Sequence, residues 1–208
     1  MKSMIAALVA AASLSFAGAA HAVTIIATDA DTPPPTGQQV VVDFDGFIAP
    51  GFSLMVNGPA AIFDGALGLV PGVAAPPPGT TSHYMAIQAG GSVSLLTPLL
   101  RQLSVYIGSP DSYNSIRFIG LNGYDVTLTG ADLAAGAFNG DQSIGRRMTY
   151  DFGANRVTQV IFASSGNSFE FDNIAVGVVP EPGVWLLMIA GVGMVGAALR
   201  RNARPAYA

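Results

Sequence analysis

The sequence contains no cysteine and, among its 208 residues, only two histidines and one tryptophan. Without cysteine, the chain forms no disulfides and offers neither a thiolate nucleophile nor thiolate metal ligands. His83 is the sole histidine after the N-terminal region, so a histidine-rich metal site is excluded as well. The folded part must therefore be stabilised by an apolar core, which a domain of roughly 150 residues is large enough to bury.

Charged residues are also scarce, at 11% of the chain, and lysine occurs once, at Lys2. Between Val23 and Val179 five arginines stand against twelve acidic residues, which gives a net charge of −7. An acidic surface without lysine is a poor electrostatic match for a nucleic-acid backbone or an anionic lipid surface. The composition therefore disfavours nucleic acid as a partner.

An apolar stretch occupies the N-terminus from Met4 to Phe16, with Lys2 before it and the small residues Ala20-His21-Ala22 after it. This order of charge, apolar run and A-x-A site is typical of a secretory signal peptide. We predict that residues 1–22 are removed by cleavage after Ala22, and a retained N-terminal anchor is the alternative. The protein is thus expected to be exported.

A second uncharged apolar run, Gly183 to Leu199, is followed by Arg200, Arg201 and Arg204. Its 17 residues extend about 25 Å as a helix, which is the short limit for crossing a bilayer. Because basic residues beside a span stay on the cytoplasmic side, the preceding domain is predicted to lie outside the cytoplasm. The predicted organisation is a signal peptide at 1–22, a domain at 23–179, and a tail at 180–208 with a transmembrane helix at 183–199 and a basic end at 200–204.

The central domain is predicted to consist of strands, because its apolar residues recur at every second position. Leu103, Val105 and Ile107 alternate with Gln102, Ser104 and Tyr106, which predicts a half-buried strand. The same alternation occurs at 124–128 and 148–152, and less regular candidates are 24–27, 39–44, 52–56, 84–88, 93–96, 115–119, 157–163 and 169–176. Many short strands separated by turns favour an all-β fold, a sandwich or jelly roll.

In the last candidate strand the apolar face changes sides, since Phe169 and Phe171 have one parity and Ile174 and Val176 have the other. A β-bulge near Asp172, which inserts one extra residue, explains the change. Asp172 is then either a ligand-facing carboxylate, a candidate for Ca²⁺, or part of a bend satisfied by local hydrogen bonds. The bend is favoured, because Ca²⁺ takes six to eight oxygen ligands and one strand offers few.

The segment from Gly108 to Asn114 is a candidate glycan-binding loop. Asp111 and Asn114 offer hydrogen bonds to sugar hydroxyls, and the ring of Tyr113 offers a surface for stacking on a sugar. The alternative, which we favour, is a type I turn whose geometry Pro110 and Asp111 hold.

Catalytic signals are sparse. Asp43 and Asp45 are predicted on one strand face, where two carboxylates suit the acid–base chemistry of a glycosidase. That chemistry needs surroundings that move two pKa values apart, and a solvated strand face is the favoured alternative. No nucleophile-elbow motif supports a triad with His83. We therefore predict a non-catalytic protein and rank a glycoside hydrolase last.

The tail begins with Pro180-Glu181-Pro182, followed by Trp185, a glycine-containing apolar run and Arg200-Arg201. In this order these residues resemble the PEP-CTERM sorting signal. The resemblance implies recognition and cleavage by an exosortase, a membrane-embedded cysteine protease of Gram-negative bacteria that also make exopolysaccharide. The prolines keep Glu181 extended, and Trp185 suits a membrane interface. An ordinary single-span anchor is the alternative for the tail.

The central domain also resembles the variable surface domains of this family, at residues 107–114 and 169–174, which implies a jelly-roll or galactose-binding-like sandwich. We expect transient anchoring in the inner membrane through the tail, then release to the cell surface or the extracellular matrix. The expected role is structural or adhesive and associated with exopolysaccharide. The alternative is a Ca²⁺-dependent glycan-binding module, and no other cofactor is expected.

Overall fold

The structure is a computed structural model that describes residues 22–28, 33–133, 141–177 and 182–202. The predicted signal peptide, except for Ala22, lies outside the described residues, and so do Pro180 and Glu181 of the sorting tail.

Short strands dominate the described residues, and they form two antiparallel sheets. In chain order they are β1 (Thr24–Thr28), β2 (Gln38–Val42), β3 (Ser53–Asn57), β4 (Ala60–Asp64), β5 (His83–Ile87), β6 (Ser92–Leu100), β7 (Gln102–Ile107), β8 (Asn114–Gly120), β9 (Asp125–Thr129), β10 (Arg146–Asp151), β11 (Val157–Ser164) and β12 (Phe169–Gly177). Two α-helices, α1 (Gly130–Leu133) and α2 (Pro182–Asn202), and the 3₁₀ turns Gly65–Leu67 and Leu121–Gly123 complete the described elements.

The seven-stranded sheet has the order β1-β10-β7-β12-β5-β4, with β2 also paired to β12. Strand β12 accommodates both neighbours on one side because it is long: Phe169–Phe171 pair with β5, whereas Ile174–Gly177 pair with β2. The five-stranded sheet has the order β3-β6-β11-β8-β9. The predicted all-β class is confirmed.

The core lies between the two sheets and is rich in aromatic rings, which identifies the fold as a β-sandwich. Phe162 of β11 stacks on Phe171 of β12, with 4.3 Å between the ring centroids. Phe118 of β8 packs against Tyr150 of β10 at 5.1 Å. Each pair joins one sheet to the other, so side chains of both inner faces interdigitate.

The predicted bulge in β12 is confirmed. The register of β12 against β7 shifts between Asp172 and Ala175, and Asn173 has a left-handed φ of 49°. Phe169, Phe171, Ile174 and Val176 consequently all reach the same core despite their opposite parity. Glu170 and Asp172 point to the outer face of the seven-stranded sheet, where they contact Ala75 and Ser82 respectively.

The prediction that β7 is only half-buried is wrong, because its outer face is covered as well. Ser104 and Tyr106, predicted to face solvent, are 0% and 5% exposed. The hydroxyl of Tyr106 donates to the carbonyl of Pro78, and Ser104 donates to Oε1 of Gln38 at 2.6 Å. The proline-rich segment before β5 thus covers part of the outer face of β7.

Two local predictions need correction. Strand β2 ends at Val42, so Asp43 and Asp45 lie in the loop that follows and do not share a strand face. Strand β4 was not predicted, since Ala60–Asp64 shows no regular alternation. The Asn57-Gly58 pair carries the chain from β3 in one sheet to β4 in the other, and Gly58 adopts a φ of 70° there.

The predicted helix at 183–199 forms within α2, which includes Trp185, Arg200 and Arg201. None of the helices in the described residues combines the length and apolarity that a bilayer crossing requires. The membrane-spanning part of the prediction is therefore not confirmed.

Candidate functional site

A cavity of about 380 Å³ opens on the outer side of the seven-stranded sheet. It is lined by residues of the segments 69–75, 109–113 and 167–170 and by Gln142, and we call it the loop cavity. Leu69, Val70 and Val73 form an apolar wall. The polar groups of Asp111, Tyr113, Gln142, Ser168 and Glu170 line the remainder. Two of the three predicted glycan-binding residues, Asp111 and Tyr113, thus meet in one cavity.

The third predicted residue, Asn114, has a different place. Its side chain is fully buried, its Oδ1 accepts from the backbone N–H of Asp111 at 2.6 Å, and its Nδ2 donates to Oγ of Ser164 at 3.0 Å. The backbone N–H of Asn114 donates to the carbonyl of Asp111 at 3.0 Å, which closes the turn. Asn114 therefore holds the loop in place. A turn forms over 111–114, so Asp111 belongs to it, whereas Pro110, expected to hold its geometry, precedes it.

Tyr113 is held rigidly at the cavity wall. Its hydroxyl donates to the carbonyl of Asn167 at 2.7 Å. Gly166 lies against its ring so closely that an added Cβ would be 2.6 Å from the Tyr113 Cγ. Burial, assisted by the nearby carboxylate of Asp111, raises the pKa of the Tyr113 hydroxyl, so it stays protonated. The residue therefore presents a fixed, neutral aromatic group.

Glu170 is the cavity residue that sequence reasoning missed. It is 4% exposed, and its Oε1 accepts from the backbone N–H of Ala75 at 3.1 Å and from the hydroxyl of Ser168. Burial raises the pKa of the Glu170 carboxyl, and the charge of Asp111 raises it further. The one available sequence signal was parity: Glu170 alternates with Phe169 and Phe171, which predicts an outward position but not its burial.

Asp172, the candidate Ca²⁺ ligand, is 1% exposed and bonded locally. Its Oδ1 accepts from the backbone N–H of Asn173 at 2.6 Å, and its Oδ2 accepts from Nδ2 of Asn173 at 3.0 Å. Burial raises its pKa to about 7, although the nearby charge of Arg147 opposes the shift. Within the described ranges, no three histidine, aspartate or glutamate side chains gather as a metal site. The geometry is that of the hydrogen-bonded bend.

Asp43 and Asp45, the candidate glycosidase pair, have separate partners. Oδ1 of Asp43 accepts from the backbone N–H groups of Asp45 and Phe47, both at 2.9 Å. Oδ1 of Asp45 instead contacts the backbone N–H of His83 at 3.0 Å and Nδ1 of its ring at 2.7 Å. The hydrogen bond from His83 lowers the pKa of Asp45, whereas a general acid needs a raised one. Asp45 is therefore unsuited to the acid role.

Replacing Asp45 by Asn is expected to lower the pKa of His83. The hydrogen bond to the Asp45 carboxylate raises the pKa of the His83 ring above 6.5, and the variant removes that charge. An NMR titration of the ring protons measures the shift, with Asp141→Asn as the control because Asp141 bonds Ser143 instead. An unchanged His83 pKa in Asp45→Asn would show that the pair does not form in solution.

Comparison with known proteins gives one match in sequence. Residues 178–202 match the PEP-CTERM protein-sorting motif, which is the resemblance predicted from the tail. No curated protein matches the chain.

Several solved structures resemble the fold at low similarity. A family two carbohydrate esterase from Cellvibrio japonicus is 12% identical with a TM-score of 0.34, covering 77% of this chain and 36% of its own, so this chain spans about a third of that enzyme. A family 11 carbohydrate-binding module from Clostridium thermocellum is 14% identical with a TM-score of 0.32, covering 67% and 95%. The K1 adhesin domain of Lys-gingipain from Porphyromonas gingivalis W83 is 15% identical with a TM-score of 0.33, covering 76% and 99%.

Proposed function

Because the chain carries a PEP-CTERM motif, which marks proteins for export and sorting to the cell surface or extracellular space, we propose that it is an exosortase-processed surface or matrix protein. In this proposal its role is non-catalytic, structural or adhesive, and associated with exopolysaccharide. The observation that carries the proposal is the motif at residues 178–202, directly after the last strand of the sandwich.

The remaining features of the chain are consistent with this role. The N-terminal segment has the pattern of a signal peptide, and we propose that the run at 183–199 anchors the exported chain transiently in the inner membrane of a Gram-negative cell. Arg200 and Arg201 would then remain in the cytoplasm. The sandwich, which we assign to the jelly-roll or galactose-binding-like type, would be released outside the cell when the tail is removed.

Replacing Glu181 by Ala is expected to block removal of the tail. In this proposal Glu181, flanked in the sequence by Pro180 and Pro182, is part of the feature that the exosortase recognises. Cell fractionation followed by terminal sequencing measures the result. In the wild type we expect mature protein that starts at Val23, lacks the residues of α2 and is found outside the inner membrane. In the variant we expect intact tails in the membrane fraction.

The matched control is Asp125→Asn, which removes a carboxylate from an exposed strand of the sandwich and leaves the tail unchanged. It should be processed like the wild type. An intact C-terminus in wild-type protein from cells with an active exosortase would overturn the proposed function.

A second candidate is a glycan-binding module that uses Ca²⁺, and the loop cavity with Asp111 and Tyr113 is the observation in its favour. Titration with the producer's own polysaccharide, with and without a chelator, separates this candidate from a purely structural role. The hydrolase hypothesis stays last, because Asp43 and Asp45 have separate partners. Undiminished polysaccharide turnover after changing both to Asn would eliminate it.

A further inference from the structure

We propose that the loop cavity binds an uncharged sugar residue directly through its own side chains. The inference rests on the proposed surface role, because only an exported domain meets the polysaccharide of the cell.

The cavity has the size and the mixed lining of a small-molecule site. Its volume of about 380 Å³ falls within the range of roughly 300–1,000 Å³ that is typical of ligand pockets. Leu69, Val70 and Val73 offer an apolar wall, whereas Asp111 and Gln142 offer hydrogen-bonding groups. A sugar ring has the same two characters, since its C–H groups are apolar and its hydroxyls donate and accept hydrogen bonds.

The charges around the cavity select against anionic sugars. Asp111 and Glu170 line the cavity, and the described residues that form its walls include neither lysine nor arginine. A uronate or a phosphorylated sugar would therefore be repelled, and would lose hydration without gaining a cation.

The walls of the cavity are tied to one another before any ligand arrives. Asn167 accepts a hydrogen bond from the Tyr113 hydroxyl at 2.7 Å, and its Nδ2 donates to the carbonyl of Gly72. Glu170 accepts from the backbone N–H of Ala75 at 3.1 Å. These bonds join residues far apart in the sequence. A site fixed in this way loses less conformational entropy on binding than a set of free loops.

The test is a binding measurement on the full chain with neutral glucan and mannan oligosaccharides and with oligouronates of the same lengths. Binding is expected for a neutral series and absent for the oligouronates. Asp111→Ala should weaken it by about tenfold or more, because a hydrogen bond from a sugar hydroxyl to a carboxylate is lost. Ser109→Trp, which places a large ring at a residue that lines the cavity, should have a similar effect. EDTA should leave binding unchanged.

Asp125→Asn is the control, since its carboxylate pairs with Arg117 on the other sheet and does not line the cavity. Thermal unfolding of each variant confirms that the fold is intact. The inference is overturned if no neutral series binds at millimolar concentration, if oligouronates bind as well, if both cavity variants bind like the wild type, or if EDTA abolishes binding.

Terminal sequencing of the same samples separates this inference from the proposed function. Chains that lose their tail and reach the surface but bind no neutral sugar overturn the cavity assignment alone. Chains that keep the tail in cells with an active exosortase overturn the proposed function, whatever the purified protein binds.

Discussion

Replacing Phe162 by Ala is expected to lower the free energy of unfolding by about 4 kcal/mol, the usual cost of deleting a fully buried phenyl ring. Phe162 lies on β11 and has no solvent exposure. Its ring stacks on Phe171 of the opposite sheet at 4.3 Å and also packs against Phe169 at 6.3 Å. The variant removes apolar burial, the stacking contact and the filling between the sheets together, and the rigid strands cannot close the gap.

Denaturant unfolding of the purified chain, monitored by far-UV circular dichroism, measures the decrease in the free energy of unfolding. Met55→Ala is the matched control, because Met55 lies on β3 of the same sheet with 52% exposure, and its removal should change stability by no more than about 0.5 kcal/mol. A loss of less than about 1 kcal/mol for Phe162→Ala would mean that the two sheets do not pack through this ring.

The sequence allowed prediction of the parts of the fold that depend on local periodicity. The alternation at Leu103–Ile107 indicated β7, and the change of parity between Phe171 and Ile174 indicated the bulge in β12. An alternation of apolar and polar residues indicates that one face of a strand is buried, which is why these strands were recognised. It does not indicate whether other parts of the chain cover the second face of the strand. Ser104 was therefore predicted to be exposed, although it is fully buried and bonded to the side chains of Gln38 and Arg147.

The loop cavity was predictable from one side only. Asp111 and Tyr113 were chosen because their side chains suit sugar binding and they follow a turn residue. The opposite wall could not be predicted from the sequence, because the contact between Ala75 and Glu170 joins residues 95 positions apart. The role of Asn114 could not be predicted either. An asparagine that holds a turn and one that binds a ligand look the same in a sequence, and here it is the burial of the side chain that distinguishes them.

Replacing Asp172 by Asn is expected to remove much of the loss of stability that the wild type shows between pH 5 and 8. Burial raises the pKa of Asp172 from 3.8 to about 7, so its ionised form is disfavoured in the folded state. A carboxyl with a raised folded pKa contributes stability that is complete below pH 3.8 and is lost as the pH rises through 7. At 1.36 kcal/mol per pKa unit, the loss is at most about 4 kcal/mol.

The neutral Asn preserves two of the three contacts of Asp172 and loses the one in which Oδ2 accepts from Nδ2 of Asn173. Its amide oxygen still accepts from the backbone N–H of Asn173, and its amide N–H groups can donate to the hydroxyl of Ser82, which lies 3.5 Å from Oδ2 of Asp172. Above pH 7 the variant should therefore be more stable than the wild type. Arg147 opposes the gain, since it loses the partial compensation of a nearby negative charge.

The measurement is the free energy of unfolding at half-unit pH steps from 4 to 8.5. Glu170 and His83 also have raised pKa values, so their contributions to the free energy of unfolding also fall as the pH rises. The decline of that free energy with pH should therefore be smaller in Asp172→Asn than in the wild type, but not absent. Asp125→Asn serves as the control: hydrogen bonding to Arg117 lowers the pKa of Asp125, and its contribution is lost only in acid, as the pH falls through that lowered pKa. If Asp172→Asn declines as steeply as the wild type between pH 5 and 8, the Asp172 carboxylate remains hydrated, and the loops do not seal the outer face of the sheet.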